Sequence, residues 1–268
     1  MSALGSLTVV GLGPGPDRWL TPEVADVLAS ATDLVGYGPY LDRIPQSFHR
    51  RHGSDNRVEL SRARLALDLA VSGRKVALVS GGDPGVFAMA SALFEALESG
   101  DDPAWAKVPV RVCPGVSAML AAAARVGAPL GHDFCVLSLS DNLKPWEVVL
   151  KRLRLAAEAD FVIALYNPIS KARPWQLGAA LDTLRTMKDP GTPVVLARAV
   201  GRHDEDVTIT TLADCDPATA DMRTLVLIGS SQTRLLPRKS ADGLGGVWVY
   251  TPRSYAAGDA PGGLVEVP

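Results

Sequence analysis

Short runs of branched apolar residues recur along the chain, each followed by a segment of helical periodicity. The runs are "LTVVG" at 7–11, "DLVGYG" at 33–38, "KVALVS" at 75–80 and "VPVRVC" at 108–113; helical patterns lie at 22–31, 60–73 and 86–98. A run this short and this apolar is buried on both faces, which requires a sheet covered on both sides. Strands alternating with helices make that sheet parallel and place the chain in the α/β class. Thr21 and Pro22 read as the N-cap and first residue of one helix, and Gly73 as the C-terminal cap of another.

The pattern restarts near Cys113–Val116. Helices are expected at 117–127, 146–159 and 175–187, and strands at 134–140, 161–167 and 193–200, followed by "VTITTLAD" and "TLVLIGS". Two α/β domains are therefore expected, 1–113 and 114–238, and the 268 residues suffice for cores without disulfide or metal staples. A Gly/Pro-rich extension, 239–268, holds one strand candidate, "VWVY"; its last ~15 residues read as a loose tail.

With 47% apolar and 21% charged residues the balance is that of a soluble globular protein. A net charge of −2 gives no basic field, so nucleic acid is not an expected partner. No run is long enough to cross a bilayer and no export signal is recognised, so a cytoplasmic, membrane-free protein is expected. Cys113, Cys135 and Cys215 stand far apart. His49, His52, His132 and His203 offer one close pair, in "HRRH", without carboxylate spacing. Neither a disulfide nor a bound metal is expected.

Three glycine turns end strands in the first half: "GLGPGP" at 11–16, "SGGDPGVF" at 80–87 and "CPGVSAM" at 113–119. The first departs from a dinucleotide fingerprint: Pro16 replaces the third glycine, and Gly36-Tyr37-Gly38 offers no acid for a ribose hydroxyl. Nor does a G-K-[ST] follow, as in a P-loop. Each turn alone is explained by tight strand-to-helix packing, and Asp83 by helix capping. Three together, without phosphate-binding cations, suit a ligand with adenine and ribose but no phosphate.

"VVGLGPG", "SGGDPGVF", "CPGVSAM" and "ALYNP", in this order over about residues 7–235, resemble the tetrapyrrole (precorrin) methyltransferases. The resemblance implies two α/β domains with S-adenosylmethionine in a cleft between them, not a true Rossmann dinucleotide fold, and a homodimer. Carried over by motif, the cofactor contacts are Pro14, Gly81, Gly82, Asp83, Val86, Ser117, Ala118, Tyr166, Asn167, Arg198 and Ala199. "DLVGYGPYLDRI", "SLSDNLKPW" and "ARAVGRHDEDVTITTL" are most similar to members that methylate a precorrin while its macrocycle contracts. A member that methylates uroporphyrinogen carries an Asp, proposed there as proton acceptor, where this chain has Gly38.

A precorrin tetrapyrrole carries many carboxylates, which a chain of net charge −2 must meet locally. Arg43, Arg50, Arg51, Arg57, Lys144, Lys171 and Arg173 are candidates, although each alone also reads as a solvated surface charge. Tyr37 and Tyr40 either face the macrocycle or pack in the core. Contraction calls for proton removal from a substrate hydroxyl; His49, His52, Asp55 and Asp141 are the candidate bases, with no choice among them. Three other readings stay open: a sister enzyme acting at another ring position or on a cobalt-containing precorrin, a nicotinamide oxidoreductase, and a non-catalytic tetrapyrrole binder.

Overall fold

The computed structural model describes residues 4–46, 48–170, 172–238 and 246–254. Lys171 and the expected tail lie outside the described residues. The chain forms two compact units, Met1–Ala121 with Ala199–Asp206, and Ala122–Arg198 with Val207–Pro268. The first unit thus extends past the expected boundary at 113 and takes in a later segment as well.

Unit 1 contains β1 (Ser6–Gly11), α1 (Pro22–Ser30), β2 (Asp33–Tyr37), α2 (Gly38–Leu41), β3 (Arg50–Ser54), α3 (Glu59–Val71), β4 (Lys75–Ser80), α4 (Met89–Ser99) and β5 (Val110–Cys113); α5 (Ala118–Val126) begins in it. Its sheet has the order β3-β2-β4-β1-β5, and every pair is parallel. The strands are covered on both faces, as their composition demands. Leu7 and Val9 pack with Ala63, Leu67 and Leu93, whereas Val10 joins Val24 and Leu28. Each fully buried Leu or Val contributes about 1.5–3 kcal/mol relative to exposure.

Thr21 caps α1, its hydroxyl accepting from the Val24 amide at 3.3 Å. Gly73 follows α3 with φ +88°. α4 starts at Met89 rather than 86 because Phe87 holds a left-handed φ of 52°, which no helix can include. β3 is an edge strand of polar residues, Arg50 to Ser54, and so carries no apolar signature in the sequence.

Unit 2 contains β6 (Gly127–Ala128), β7 (Phe134–Ser138), α6 (Trp146–Glu158), β8 (Val162–Tyr166), α7 (Gln176–Arg185), β9 (Pro193–Arg198), β10 (Asp206–Thr211), β11 (Thr224–Ile228), β12 (Arg234–Arg238) and β13 (Gly246–Tyr250). The main sheet has the order β10-β9-β11-β8-β7. β7 and β8 are parallel, but β11 enters between β8 and β9 and runs against both. The segment leading into β11 has only the short 3₁₀ turn Pro217–Thr219, not the helix of a parallel crossover. This sheet is therefore mixed, where the repeating pattern implied a parallel one. "VWVY" is β13, paired with β12 and β6 in a small separate sheet.

Candidate active site

In unit 1, β1 and β4 are neighbours whose chains leave in opposite directions, β1 towards β2 and β4 towards β5. Such a switch point, at the carboxyl ends of the strands, is where open α/β sheets take ligands. The three glycine turns meet there. Gly13 and Gly82 exchange two main-chain hydrogen bonds of 3.1 and 3.2 Å. A Cβ on Gly11 would lie 2.5 Å from the Gly82 carbonyl oxygen, and one on Gly115 would strike the same atom. Asp83 locks the assembly, one carboxylate oxygen accepting from Gly85 N at 2.8 Å and the other from Gly115 N at 3.0 Å.

The glycines of the second turn have different reasons. A Cβ on Gly81 would sit 2.6 Å from Cζ of Tyr40, whose ring lies over it. Gly82 has φ +64° and, beyond the Val116 carbonyl oxygen at 3.9 Å, open space where its Cβ would project. Val86 N donates to Asp83 O, and buried Ser117 directly precedes α5, which begins at Ala118.

Two arginines cover the carbonyls of the first turn. Arg43 donates to Leu12 O, Gly13 O and Gly15 O at 2.9–3.1 Å, and Arg202 Nε donates to Pro14 O at 3.0 Å. Arg62, from α3, donates to Ser54 Oγ, Asp55 O and Met89 Sδ. Arg51 is spent on Leu41 O, Ile44 O and Pro45 O. Tyr40 meets Tyr37 edge-on at 5.3 Å. Burial pushes the Tyr40 phenol's pKa up, against the fields of Arg202, Arg43 and Arg62.

The two histidines fall at the other end of the sheet. His49 Nε2 lies 2.7 Å from Leu28 O, and His52 Nε2 lies 2.9 Å from buried Asp33 Oδ1 at the start of β2. Arg50 opens β3 at that same amino end, exposed. Asp55 and Arg57 follow the carboxyl end of β3, both exposed, with Arg57 at φ 68°.

In unit 2 the carboxyl ends of β7, β8 and β9 carry the polar residues. Asn167, left-handed at φ 53°, follows Tyr166 and donates to Ser138 Oγ at 2.9 Å. Arg198 pairs with Asp221 at 2.7 Å, and Ala199 takes φ 50°. Arg173 Nη1 donates to Ser140 Oγ and to Asp141 Oδ1, the latter also receiving Gln176 Nε2. Lys144 Nζ donates to Ser140 O, and its pKa is lowered by burial and by Arg152, against Asp141.

Sequence reasoning missed Arg62, Arg202, Ser138, Ser140 and Gln176. Arg62 left a signal: it stands in line with Ala66 and Ala70 on the buried stripe of α3, where a charge is out of place. Among the described residues no group of three His, Cys, Asp or Glu could hold a metal ion.

A family model of the tetrapyrrole (corrin/porphyrin) methylases matches residues 6–216. The chain is 57% identical, over 94% of its length and 98% of the relative's, to the precorrin-3B C(17)-methyltransferase of Sinorhizobium sp. The crystal structure of the methyltransferase CobJ is similar with a TM-score of 0.85 at 53% identity, covering 92% of this chain and 100% of that one. The uroporphyrin-III C-methyltransferase of Thermus thermophilus, solved with S-adenosyl homocysteine, shares the fold at 23% identity, with a TM-score of 0.63 over 84% of this chain and 97% of that one.

Proposed function

Because this chain belongs to the tetrapyrrole (corrin/porphyrin) methylases, we propose that it methylates precorrin-3B at ring carbon 17. The methyl donor is S-adenosylmethionine, the macrocycle contracts to that of precorrin-4, and the step serves cobalamin synthesis. The observation that carries this reading is the 57% identity across nearly the whole of a relative so named.

The residues present fit the cofactor. Gly82 leaves its main chain open to a ligand, and the turns offer no phosphate cradle, which a sulfonium nucleoside does not need. Pro14, Gly81, Gly82, Asp83, Val86, Ser117, Ala118 and Ala199 of unit 1 are the contacts we assign to it, and the motif resemblance adds Tyr166, Asn167 and Arg198. Of these, Asp83 acts indirectly, by tying the second turn to the third, and the Tyr40 ring against Gly81 gives that glycine a packing reason of its own. The bound cofactor supplies an electrophilic methyl group, and alignment with the acceptor carbon provides most of the acceleration. Arg57, Lys144 and Arg173 remain the candidates for substrate carboxylates, Arg173 already pairing with Asp141, whereas Arg43 and Arg51 chiefly hold main chain. His49 and His52 are set aside as bases, since their ring nitrogens are engaged at the amino end of the sheet.

Incubation with isotope-labelled S-adenosylmethionine and precorrin-3B, followed by mass and NMR analysis, tests the reading. Label at carbon 17 of a contracted ring is expected. Label elsewhere selects a sister activity, turnover only with the cobalt-loaded substrate selects that variant, and no transfer to any precorrin removes the reading. The same reading carries a cytoplasmic homodimer. Among the described residues no helix is long and apolar enough to cross a membrane. Sedimentation at a monomer's mass would contradict the dimer.

A further inference from the structure

Several arginines face carboxylates: Arg74 with Asp33, Arg111 with Glu23, Arg173 with Asp141, Arg198 with Asp221. Others of unit 1 do not, among them Arg51, which is held by three main-chain carbonyls, and three whose fields act on one side chain. Among the described residues, Arg43, Arg62 and Arg202 form no ion pair, and their donors go to main-chain carbonyls, a hydroxyl and a thioether. Arg62 is only 5% exposed. Its hydrogen-bond partners are all neutral and Glu59 reaches it only through space, so it has no hydrogen-bonded counter-ion until an anion arrives.

All three act through space on one group, the hydroxyl of Tyr40. That hydroxyl has no hydrogen-bond partner among the described residues. Its position is fixed by contact, because the ring rests on Gly81 at the end of β4 and stands edge-on to Tyr37. Burial keeps the phenol protonated, so at neutral pH it presents a donor. Of the acids at this end, both Asp83 oxygens accept amides and Asp55 is exposed beyond β3; Glu59 accepts from Arg57 N and acts on Arg62 through space, as Asp17 does on Arg43.

We infer that Tyr40, within the field of Arg43, Arg62 and Arg202, is a subsite for one carboxylate of the tetrapyrrole, with the Tyr40 hydroxyl as its hydrogen-bond donor. The inference rests on the proposed function, which supplies a polycarboxylate substrate. It adds a polar role to the packing of Tyr40 against the core, and it gives Arg62 and Arg202 a share in recognition. No bond is made or broken at this subsite.

Tyr40→Phe keeps the ring on Gly81 and removes the donor. The KM for the tetrapyrrole should rise about ten-fold or more, the range for a hydrogen bond to a charged group. kcat and the affinity for S-adenosylhomocysteine should stay at their wild-type values. Arg62→Met should raise the same KM and flatten its dependence on ionic strength, and Arg62→Lys should restore part of both. Against the methyl ester of the tetrapyrrole, whose carbonyl still accepts but carries no charge, the Tyr40→Phe penalty should shrink, a readout that a merely structural role would not move. An unchanged KM in Tyr40→Phe, or a penalty as large against the ester as against the acid, overturns the subsite even if Arg62→Met fails to fold. A wild-type protein that methylates no precorrin overturns the proposed function instead, and the two failures are distinct.

Discussion

The two ends of the unit 1 sheet handle charge in opposite ways. At the amino end, Asp33 is fully buried, and its carboxylate accepts from Arg74, His52 and Thr32 at 2.7–2.9 Å. Acid and bases from β2, β3 and the segment before β4 close on one another. At the carboxyl end, Arg43, Arg62 and Arg202 have neutral partners only, while Arg57 and Phe87 adopt left-handed backbone. A closed ion cluster stabilises a fold, whereas open cations and strained backbone mark a place that receives something. Arg, His and Asp occur at both ends, so residue type alone does not separate the two.

The comparison breaks first at Asp33. Asp33→Ala leaves Arg74 and His52 without their acid and should cost about 3–5 kcal/mol in urea unfolding, with S-adenosylhomocysteine affinity unchanged in the folded fraction. pH gives a second view of the same cluster. Burial pushes the Asp33 carboxyl up, but the hydrogen bonds from Arg74, His52 and Thr32 outweigh it and hold its pKa below the ordinary value. A depressed folded value stabilises fully above the unfolded pKa of about 4 and is lost as pH falls through the folded one. Between about pH 5 and pH 3 the wild-type urea midpoint should therefore fall further than that of Asp33→Asn. Parallel curves would show that this cluster does not carry acid stability.

Next in size are the glycine turns, where the carboxyl end separates packing from reception. A Cβ on Gly11 would meet the Gly82 carbonyl oxygen at 2.5 Å and Pro84 Cδ at 2.8 Å. Gly11→Ala should cost about 2–3 kcal/mol and lower the unfolding midpoint whether or not ligand is present. Gly82→Ala meets no such wall; its strain is that of φ +64°, about 1–2 kcal/mol. Its larger effect should be on ligand, a rise of about ten-fold in the dissociation constant of S-adenosylhomocysteine measured calorimetrically, which is 1.4 kcal/mol. If Gly82→Ala binds as the wild type does, the ligand does not approach this main chain.

Much of this architecture is legible in the residues. β1, β2, β4 and β8 are visible because strands buried on both faces must be apolar, and the turns because few residues other than glycine tolerate such close approach. β3 is not, since an edge strand can be polar, and β11's direction is set by the connection before it. The turns are found by their glycines, and packing supplies a reason the sequence does not show: Gly81 makes room for Tyr40, and Gly115 for the Gly82 carbonyl. The roles of the cations are the least legible in the sequence. Whether Arg43 meets a ligand or the carbonyls of Leu12, Gly13 and Gly15 depends on where those carbonyls point. His49 and His52 look like site residues in "HRRH", and only the strand's direction places them at the far end.

The smallest expected effect is at Gly38, and it sharpens the contrast most. A Cβ there would meet nothing within 4 Å, and its φ is not left-handed, so neither packing nor backbone requires glycine. Gly38→Ala should change stability by no more than about 0.5 kcal/mol and leave methyl transfer intact. Gly38→Asp should be as stable in urea, since the side chain projects into open space at the end of β2. It would, however, add an anion two residues from Tyr40, and like charges a few ångströms apart repel by about 1 kcal/mol in water. The KM for the tetrapyrrole should then rise about five-fold with kcat held, and the rise should shrink in high salt. A Gly38→Asp enzyme with unchanged KM would mean that no substrate carboxylate comes near the carboxyl end of β2. The arginines at that end, which have no hydrogen-bonded carboxylate, would then need another anion.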